Sequence, residues 1–121
     1  MVWFIDKPEI LQDELDRLAA IGAQYEVDEN AKAQGGIVVK VKYRIDDDDL
    51  DFTCIYPSAY PYFPPIISSH NFPPGRHLEP FGKTICTLAD KNNDWDIAKD
   101  TLAGLLQGQV THIYEIHKSP A

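Results

Sequence analysis

Cysteines, basic residues and long apolar runs are all scarce in this sequence. Two cysteines, Cys54 and Cys86, are too few for a disulfide framework or a four-ligand zinc site, so we expect free thiols and neither metal nor cofactor. No segment approaches the roughly 18 apolar residues that a membrane span requires. The N-terminus also lacks a basic leader followed by an apolar run. These absences predict a cytoplasmic protein with no membrane role.

The charge balance excludes a further class of partner. Eleven lysines and arginines stand against nineteen aspartates and glutamates, which gives a formal net charge of −8. Such a chain repels the phosphate backbone, so we expect no nucleic-acid partner. The 121 residues have the size of one domain with a single core, and we assign residues 1–121 to it.

The first half of the chain carries a clear helix pattern and a clear strand pattern. Apolar residues at helical spacing predict an amphipathic helix over residues 8–20, with an acidic, solvated face. Residues 37–45 alternate between apolar and polar side chains, and residues 50–56 continue the alternation, as in half-buried strands. With a further strand at residues 25–27, these segments predict an antiparallel meander. The acidic helix face comprises Glu9, Asp13, Glu14 and Asp16.

Four consecutive aspartates, residues 46–49, separate the two long strands. They lack the glycine and the distal glutamate of a calcium-binding EF-hand loop, so a turn is favoured over a calcium site. Cys54 falls on the apolar face of its strand, where a core position is the simplest interpretation.

The second half is dominated by proline and by irregular structure. Prolines in the segment YPYFPP, residues 60–65, restrict the backbone to extended, non-helical paths. Residues 71–94 show no helical period, which predicts a long ordered loop of the kind that carries function. A helix capped by Asp94 or Asp96 then carries Leu102 and its apolar neighbours toward the core. Gly104 and Gly108 would permit close backbone approach, and residues 111–121 fit either a helical turn or a short strand.

This order of elements carries four spaced motifs. They are Tyr60 to Pro65, His77, the Gly82 to Cys86 segment and Trp95, with 26 residues from Tyr60 to Cys86 and nine from Cys86 to Trp95. Together they make the chain resemble the ubiquitin-conjugating (UBC) enzymes. The resemblance implies an α+β, UBC-like fold: an N-terminal helix, an antiparallel four-stranded meander, a long active-site loop and a crossing helix, with C-terminal helices reduced or absent.

The resemblance also implies an activity and a set of partners. Cys86 would receive the C-terminus of a ubiquitin-like protein as a thioester from an activating-enzyme-like protein, and transfer it to an amine of a protein target. His77 would either take part in catalysis or hold the loop by hydrogen bonds, and both alternatives stay open. The residues implied as structural support are Tyr60, Pro61, Pro64 and Trp95.

Two departures from the family pattern matter. The family's His-Pro-Asn triplet reads His77-Leu78-Glu79, so the asparagine that supports the oxyanion is missing. Candidates for the oxyanion donor or for orienting the amine are the loop residues Asn92, Asn93, Asp90 and Asp94, each of which also fits a turn or cap. The chain also ends soon after the crossing helix. In this respect it resembles the minimal bacterial-type members of the family that are found in antiphage-defence operons.

Three alternatives remain beside this interpretation. Free cysteine is often buried, so Cys86 also fits a core position. The same fold also occurs as a catalytically inactive UBC/RWD-like protein-interaction module. A cysteine hydrolase using Cys86 and His77 is the third, although no third residue or oxyanion hole is evident. The other histidines, His70, His112 and His117, fit surface positions.

Overall fold

The structure is a computed structural model, and it describes residues 4, 7–58, 60, 62–73, 85 and 101–118. Within these ranges the regular elements follow in the order α1 (Pro8–Ala20), β1 (Gln24–Val27), α2 (Glu29–Ala33), β2 (Ile37–Ile45), β3 (Asp48–Tyr56), β4 (Ile66–Ser68), α3 (Leu102–Leu105), a π-helical turn (Leu106–Val110) and α4 (Thr111–Lys118).

The strands form one antiparallel sheet in the order β1-β2-β3-β4. Each strand pairs with its successor, so the sheet is a meander, as the sequence predicts. Val41 lies opposite Tyr25 of β1 and opposite Phe52 of β3, which sets the register of the β1–β2 and β2–β3 pairings. Because side chains alternate across a strand, β2 and β3 place one apolar set on the core face and their charged residues mainly on the other. The predicted α+β fold with a four-stranded meander is confirmed.

Helix α1 covers the core face of the sheet. Its first position is a proline, whose fixed φ suits the first helical turn and whose missing N–H is not needed there. Leu11, Leu15 and Leu18 are buried, and the helix packs against β1 and α3. The chain leaves the helix through Gly22, whose φ of +83° is readily available only to glycine. Periodicity therefore predicted this helix correctly.

The turn between β2 and β3 is tighter than predicted. Strand β3 begins at Asp48, so only Asp46 and Asp47 form the turn and the next two aspartates belong to the strand. Asp46 adopts a φ of 54°, in the left-handed region that aspartate tolerates better than most residues. The described residues hold no cluster of three or more potential metal-ligating side chains.

The C-terminal helical segment begins later than predicted. Thr101 has an extended backbone, and its hydroxyl accepts a hydrogen bond from the Gly104 N–H at 3.1 Å, so it caps the helix that contains Leu102. The predicted cap at Asp94 or Asp96 is therefore wrong for this helix. The segment continues through the π-helical turn into α4, so residues 111–118 are helical.

Two further details differ from the expectation. Gly104 and Gly108 are both exposed, and no described atom lies within 4 Å of a Cβ built on Gly108, so the predicted close approach is absent there. The short helix α2 was not predicted. It is capped by Asp28, whose carboxylate accepts from the Ala31 N–H at 3.0 Å. Among the helices described, none has the length and apolar character needed to cross a bilayer.

Candidate functional site

Most of the predicted site residues lie outside the part of the chain that the structure describes. Tyr60 and Pro64 are the two that lie inside it. The remaining assignments therefore stay predictions, namely Cys86, His77, Asn92, Asn93, Asp90, Asp94, Pro61 and Trp95.

Ile85, the residue before Cys86, is described and is attached to the sheet. Its backbone N–H donates a hydrogen bond to the Ile67 carbonyl oxygen at 2.8 Å, beside the edge strand β4. Its side chain is 3% exposed and belongs to the main core, as does Ile67. Burial of both side chains stabilises this attachment because their apolar surface leaves water together.

The first residue of the YPYFPP segment, Tyr60, is buried, whereas the two aromatic side chains in its middle are exposed. The Tyr60 ring packs edge-on against the Tyr56 ring with centroids 4.8 Å apart, and the Tyr60 N–H donates to the Pro57 carbonyl oxygen. Pro64 is partly buried, whereas Tyr62 is 70% and Phe63 62% exposed. Large exposed aromatic rings of this kind are common where proteins bind other proteins.

Glu14 is the functional candidate that the sequence interpretation missed. It was assigned to the solvated face of the first helix, but it is only 3% exposed, so that assignment is wrong. Its Oε1 accepts hydrogen bonds from the Tyr56 hydroxyl at 2.8 Å and from the Leu102 N–H at 3.2 Å.

A sequence signal for this burial existed. Glu14 follows Leu11 by three residues and precedes Leu18 by four, which places it on the apolar side of α1. Burial raises the pKa of the Glu14 carboxyl, and the hydrogen bonds from Tyr56 and Leu102 oppose that rise. The Tyr56 hydroxyl has its pKa raised well above the ordinary value, first by burial and then by the charge of Glu14.

Cys54 has none of the properties of a nucleophile. It lies fully buried on the core face of β3, which confirms the predicted core position. Burial raises the pKa of its thiol to about 12, so almost no thiolate forms near neutral pH.

The aspartate hairpin contacts the C-terminal helix. The Tyr114 hydroxyl donates to the Asp48 carboxylate, and Lys118 Nζ lies 3.3 Å from Asp48 Oδ2. The Tyr114 hydrogen bond is the main cause, and Lys118 the second, of an Asp48 pKa below its usual range. Nearby, His117 Nδ1 lies 2.9 Å from the Pro73 carbonyl oxygen. His70 and His112 are exposed, as predicted. The contacts of Asp48 with Tyr114 and Lys118 attach the hairpin to α4.

The N-terminal helix, the four-stranded antiparallel meander and the C-terminal helix define a UBC-like fold. Within that class, the RWD domain family matches residues 9–116, and the chain belongs to this family. RWD domains share the UBC fold and are usually non-catalytic protein-interaction modules. No curated protein and no solved structure gave a match.

Proposed function

We propose that this RWD-family domain carries a ubiquitin-like protein as a thioester on Cys86 and transfers it to an amine of a protein target. In the first step the Cys86 thiolate attacks the thioester carbonyl on an activating-enzyme-like protein, and the donor thiolate leaves. In the second step an amine attacks the new thioester, the C–N bond forms, the amine loses a proton, and the Cys86 thiolate leaves.

The observation that supports this proposal is the attachment of Ile85 to Ile67. The Ile85 side chain is buried in the core, and Cys86 is the next residue in the sequence. The proposal requires the Cys86 thiol to be reachable for thioester exchange. The other cysteine, Cys54, is excluded as the nucleophile by its burial and its raised thiol pKa.

The roles of the neighbouring residues follow from the chemistry of the two steps. Exchange of one thioester for another changes the free energy little, so a reachable Cys86 thiolate suffices for the first step. A protonated His77 would favour the thiolate form of Cys86. Transfer to an amine requires a donor to the oxyanion and an acceptor that orients the amine. We assign the first role to Asn92 or Asn93 and the second to Asp90 or Asp94.

A second candidate function is a non-catalytic protein-interaction module. Membership of the RWD family favours it, and so do the exposed rings of Tyr62 and Phe63. In this case Cys86 would have no acyl-carrier role and the partner would bind without forming a covalent bond.

A thioester trap separates the two candidates. The protein is incubated with an activating-enzyme-like protein, its ubiquitin-like partner and ATP, and the products are compared on reducing and non-reducing gels. Transfer to Cys86 predicts an adduct that thiols cleave, that Cys86→Ala abolishes and that Cys54→Ala retains. With an activating set proven on another acceptor, absence of the adduct would favour the interaction module.

The biological setting is a separate part of the proposal. The resemblance to bacterial-type members suggests an antiphage-defence operon. A plaque assay tests this by comparing cells that express the operon with wild-type protein or with Cys86→Ala. If cells with the wild-type protein and cells with Cys86→Ala are equally protected, Cys86 is not required for defence.

A further inference from the structure

The two edges of the sheet differ in how the chain covers them. At the β4 edge, the Ile85 N–H donates to the Ile67 carbonyl oxygen at 2.8 Å. At the other edge, β1 pairs with β2, and none of the residues that the structure describes hydrogen-bonds to its outer side. An uncovered strand edge is a template on which a further extended chain can pair.

The outer side of β1 presents the backbone groups of Tyr25 and Val27. In an antiparallel pair, hydrogen-bonded residues alternate with residues whose N–H and carbonyl groups point away from the partner strand. The Asp28 N–H donates to the Val38 carbonyl oxygen at 2.8 Å, so these two residues are a hydrogen-bonded pair. Val27, opposite Val39, is the next residue along β1, so its backbone groups point outward. Those of Tyr25, two residues earlier, point outward as well.

The side chains of Tyr25 and Val27 lie on the core face of the sheet, because each is opposite a buried valine of β2. The core covers them incompletely, since Tyr25 is 39% exposed and Val27 is only partly buried. Apolar side chains on the same face of an added strand would cover both. An occupant of this edge therefore needs apolar residues at alternate positions.

The opposite face of β1 is negatively charged. Glu26 is exposed, and it borders a depression of about 290 Å³ where β1 leads into α2. Three carboxylates and one ammonium group line this depression, so it favours a cationic side chain. The lining residues are Glu26, Val27, Asp28, Glu29, Asn30 and Lys40. An occupant therefore needs basic residues between its apolar ones.

We propose that the free edge of β1 binds an extended segment of a partner protein in which apolar and basic residues alternate. The segment forms a fifth antiparallel strand and exchanges backbone hydrogen bonds with Tyr25 and Val27. Its basic side chains lie beside Glu26 and in the depression. This inference goes beyond the proposed function, because it requires neither Cys86 nor an activating-enzyme-like protein.

A second copy of this chain fits the edge less well than a basic segment does. The two-fold register that pairs Tyr25 of each copy with Val27 of the other places Glu26 directly opposite Glu26. Like charges in directly opposite positions destabilise a pair of strands. Each copy also carries a formal net charge of −8, so the copies repel each other.

The test uses the full chain and a probe peptide, acetyl-GKVKVTG-amide. The peptide places its valines opposite Tyr25 and Val27, and its lysines opposite Glu26 and Asp28. We expect weak binding, as for other small and transient interfaces. Amide hydrogen exchange at Tyr25 and Val27, followed by NMR, should slow in excess peptide because both N–H groups gain acceptors. Unchanged exchange at both residues would overturn the proposal.

N-methylated peptides test the backbone pairing. Methylation of both valine nitrogens keeps the side chains and the charge but removes the two N–H groups that would donate to β1. This peptide should bind at least about tenfold more weakly, as expected for the loss of two hydrogen bonds. Methylation of both lysine nitrogens, whose N–H groups would point away from β1, should weaken binding less. Equal affinities of the two methylated peptides would overturn the edge pairing.

Charge variants test the chemistry of the occupant. Glu26→Lys should weaken binding of the probe peptide by about two- to tenfold at low salt. Glu115→Lys, at an exposed position of α4, changes the net charge equally and should weaken binding less. Equal weakening by the two variants would mean that the peptide responds to net charge alone, which would overturn the assigned site.

Self-association is the competing outcome, and Val27→Pro tests it. Proline is tolerated on an edge strand where the N–H faces outward, and here it removes one donor from the free edge. We expect a monomeric parent protein in analytical ultracentrifugation and weaker peptide binding by Val27→Pro. A parent dimer that Val27→Pro converts to a monomer would make the occupant a second copy and overturn the proposed partner. If Val27→Pro fails to fold, the methylated peptides and Glu26→Lys still decide.

Discussion

The Ile85 backbone N–H donates a hydrogen bond to the Ile67 carbonyl oxygen at 2.8 Å, beside the edge strand of the sheet. This contact links the residue next to Cys86 to the most regular part of the fold. Both side chains lie in the core, so the attachment combines a backbone hydrogen bond with apolar burial.

Truncation of Ile85 should therefore destabilise the domain. We expect Ile85→Ala to lower the free energy of unfolding by about 2–4 kcal/mol and Ile85→Val by about 0.5–1.5 kcal/mol, as for buried isoleucines in general. Urea unfolding followed by circular dichroism measures both. Ile55→Ala, at a side chain 40% exposed, is the control and should cost less than Ile85→Ala. Equal losses for the two alanine variants would contradict the core position of Ile85.

The two cysteines should differ strongly in reactivity. With a pKa of about 12, the Cys54 thiol is ionised in about one molecule in ten thousand at pH 8, while an ordinary exposed thiol is ionised to about one quarter. We therefore expect iodoacetamide to modify Cys86 at least about a hundredfold faster than Cys54 in the folded protein. Mass spectrometry of the two cysteine peptides gives both rates, and the difference should vanish in urea. Faster labelling of Cys54 would contradict the assignment.

The sequence predicted those parts of the fold that depend on local pattern. Alternation along residues 37–45 and 50–56 identified the two long strands, and helical spacing identified α1. Turn composition was less informative, because four aspartates in a row do not show which one adopts a positive φ. The start of α3 at Thr101 was missed because aspartate and threonine are both good caps.

The burial of Glu14 was harder to predict because its hydrogen-bond donors are distant in sequence. Tyr56 is 42 residues from Glu14, and Leu102 is 88 residues away. A charged residue is rarely buried without a partner, so Glu14 was assigned to the surface although its helical position indicated the core. Only the three-dimensional convergence of its donors explains the burial.

Glu14 should make stability depend on pH in a direction that a surface carboxylate would not show. Its folded-state pKa is raised, mainly by burial, so the folded protein binds this proton more tightly than the unfolded chain. The stabilising contribution is complete below the unfolded pKa of about 4.5 and is lost as pH rises through the folded pKa. The neighbouring titratable groups that influence this pKa are Tyr56, Tyr60 and Asp13.

The variant Glu14→Gln removes this proton. We expect its free energy of unfolding, relative to the parent protein, to rise between pH 4.5 and pH 8, because only the parent loses the contribution of neutral Glu14. Urea unfolding at half-unit pH intervals measures the difference. Asp16→Asn, on the exposed side of the same helix, is the control. A constant difference between parent and Glu14→Gln over this range would argue against a raised pKa.

The contact between Asp48 and Tyr114 predicts a tyrosine that ionises late. The hydrogen bond to Asp48 is the main cause that raises the pKa of Tyr114 to about 12. Asp48→Asn should lower this pKa, while Asp47→Asn should lower it less, since Asp47 acts only through its charge. Ultraviolet absorbance at alkaline pH, with Tyr114→Phe to assign the signal, gives the midpoints. Equal midpoints for the two asparagine variants would contradict a specific bond.

The exposed acidic residues of α1 predict the charge of a partner surface. Glu9, Asp13 and Asp16 remain exposed, and Asp13 already forms an ion pair with Arg17 at 2.7 Å. We expect a cognate activating-enzyme-like protein that docks on this helix to present a basic or apolar surface. Glu14 is not a useful probe of that surface, because its side chain is buried and Glu14→Lys would disrupt the core.

Asp16→Lys is the better probe, with Glu29→Lys on α2 as a control of equal charge change. If the partner surface is basic, Asp16→Lys should slow formation of the Cys86 thioester by about two- to tenfold at low salt, and the effect should shrink near 0.5 M salt, where charges are screened over a few ångströms. Glu29→Lys should change the rate less. If the rate of thioester formation depends neither on the salt concentration nor on the charge at position 16, the docking surface is not basic. Any docking on α1 would then be apolar.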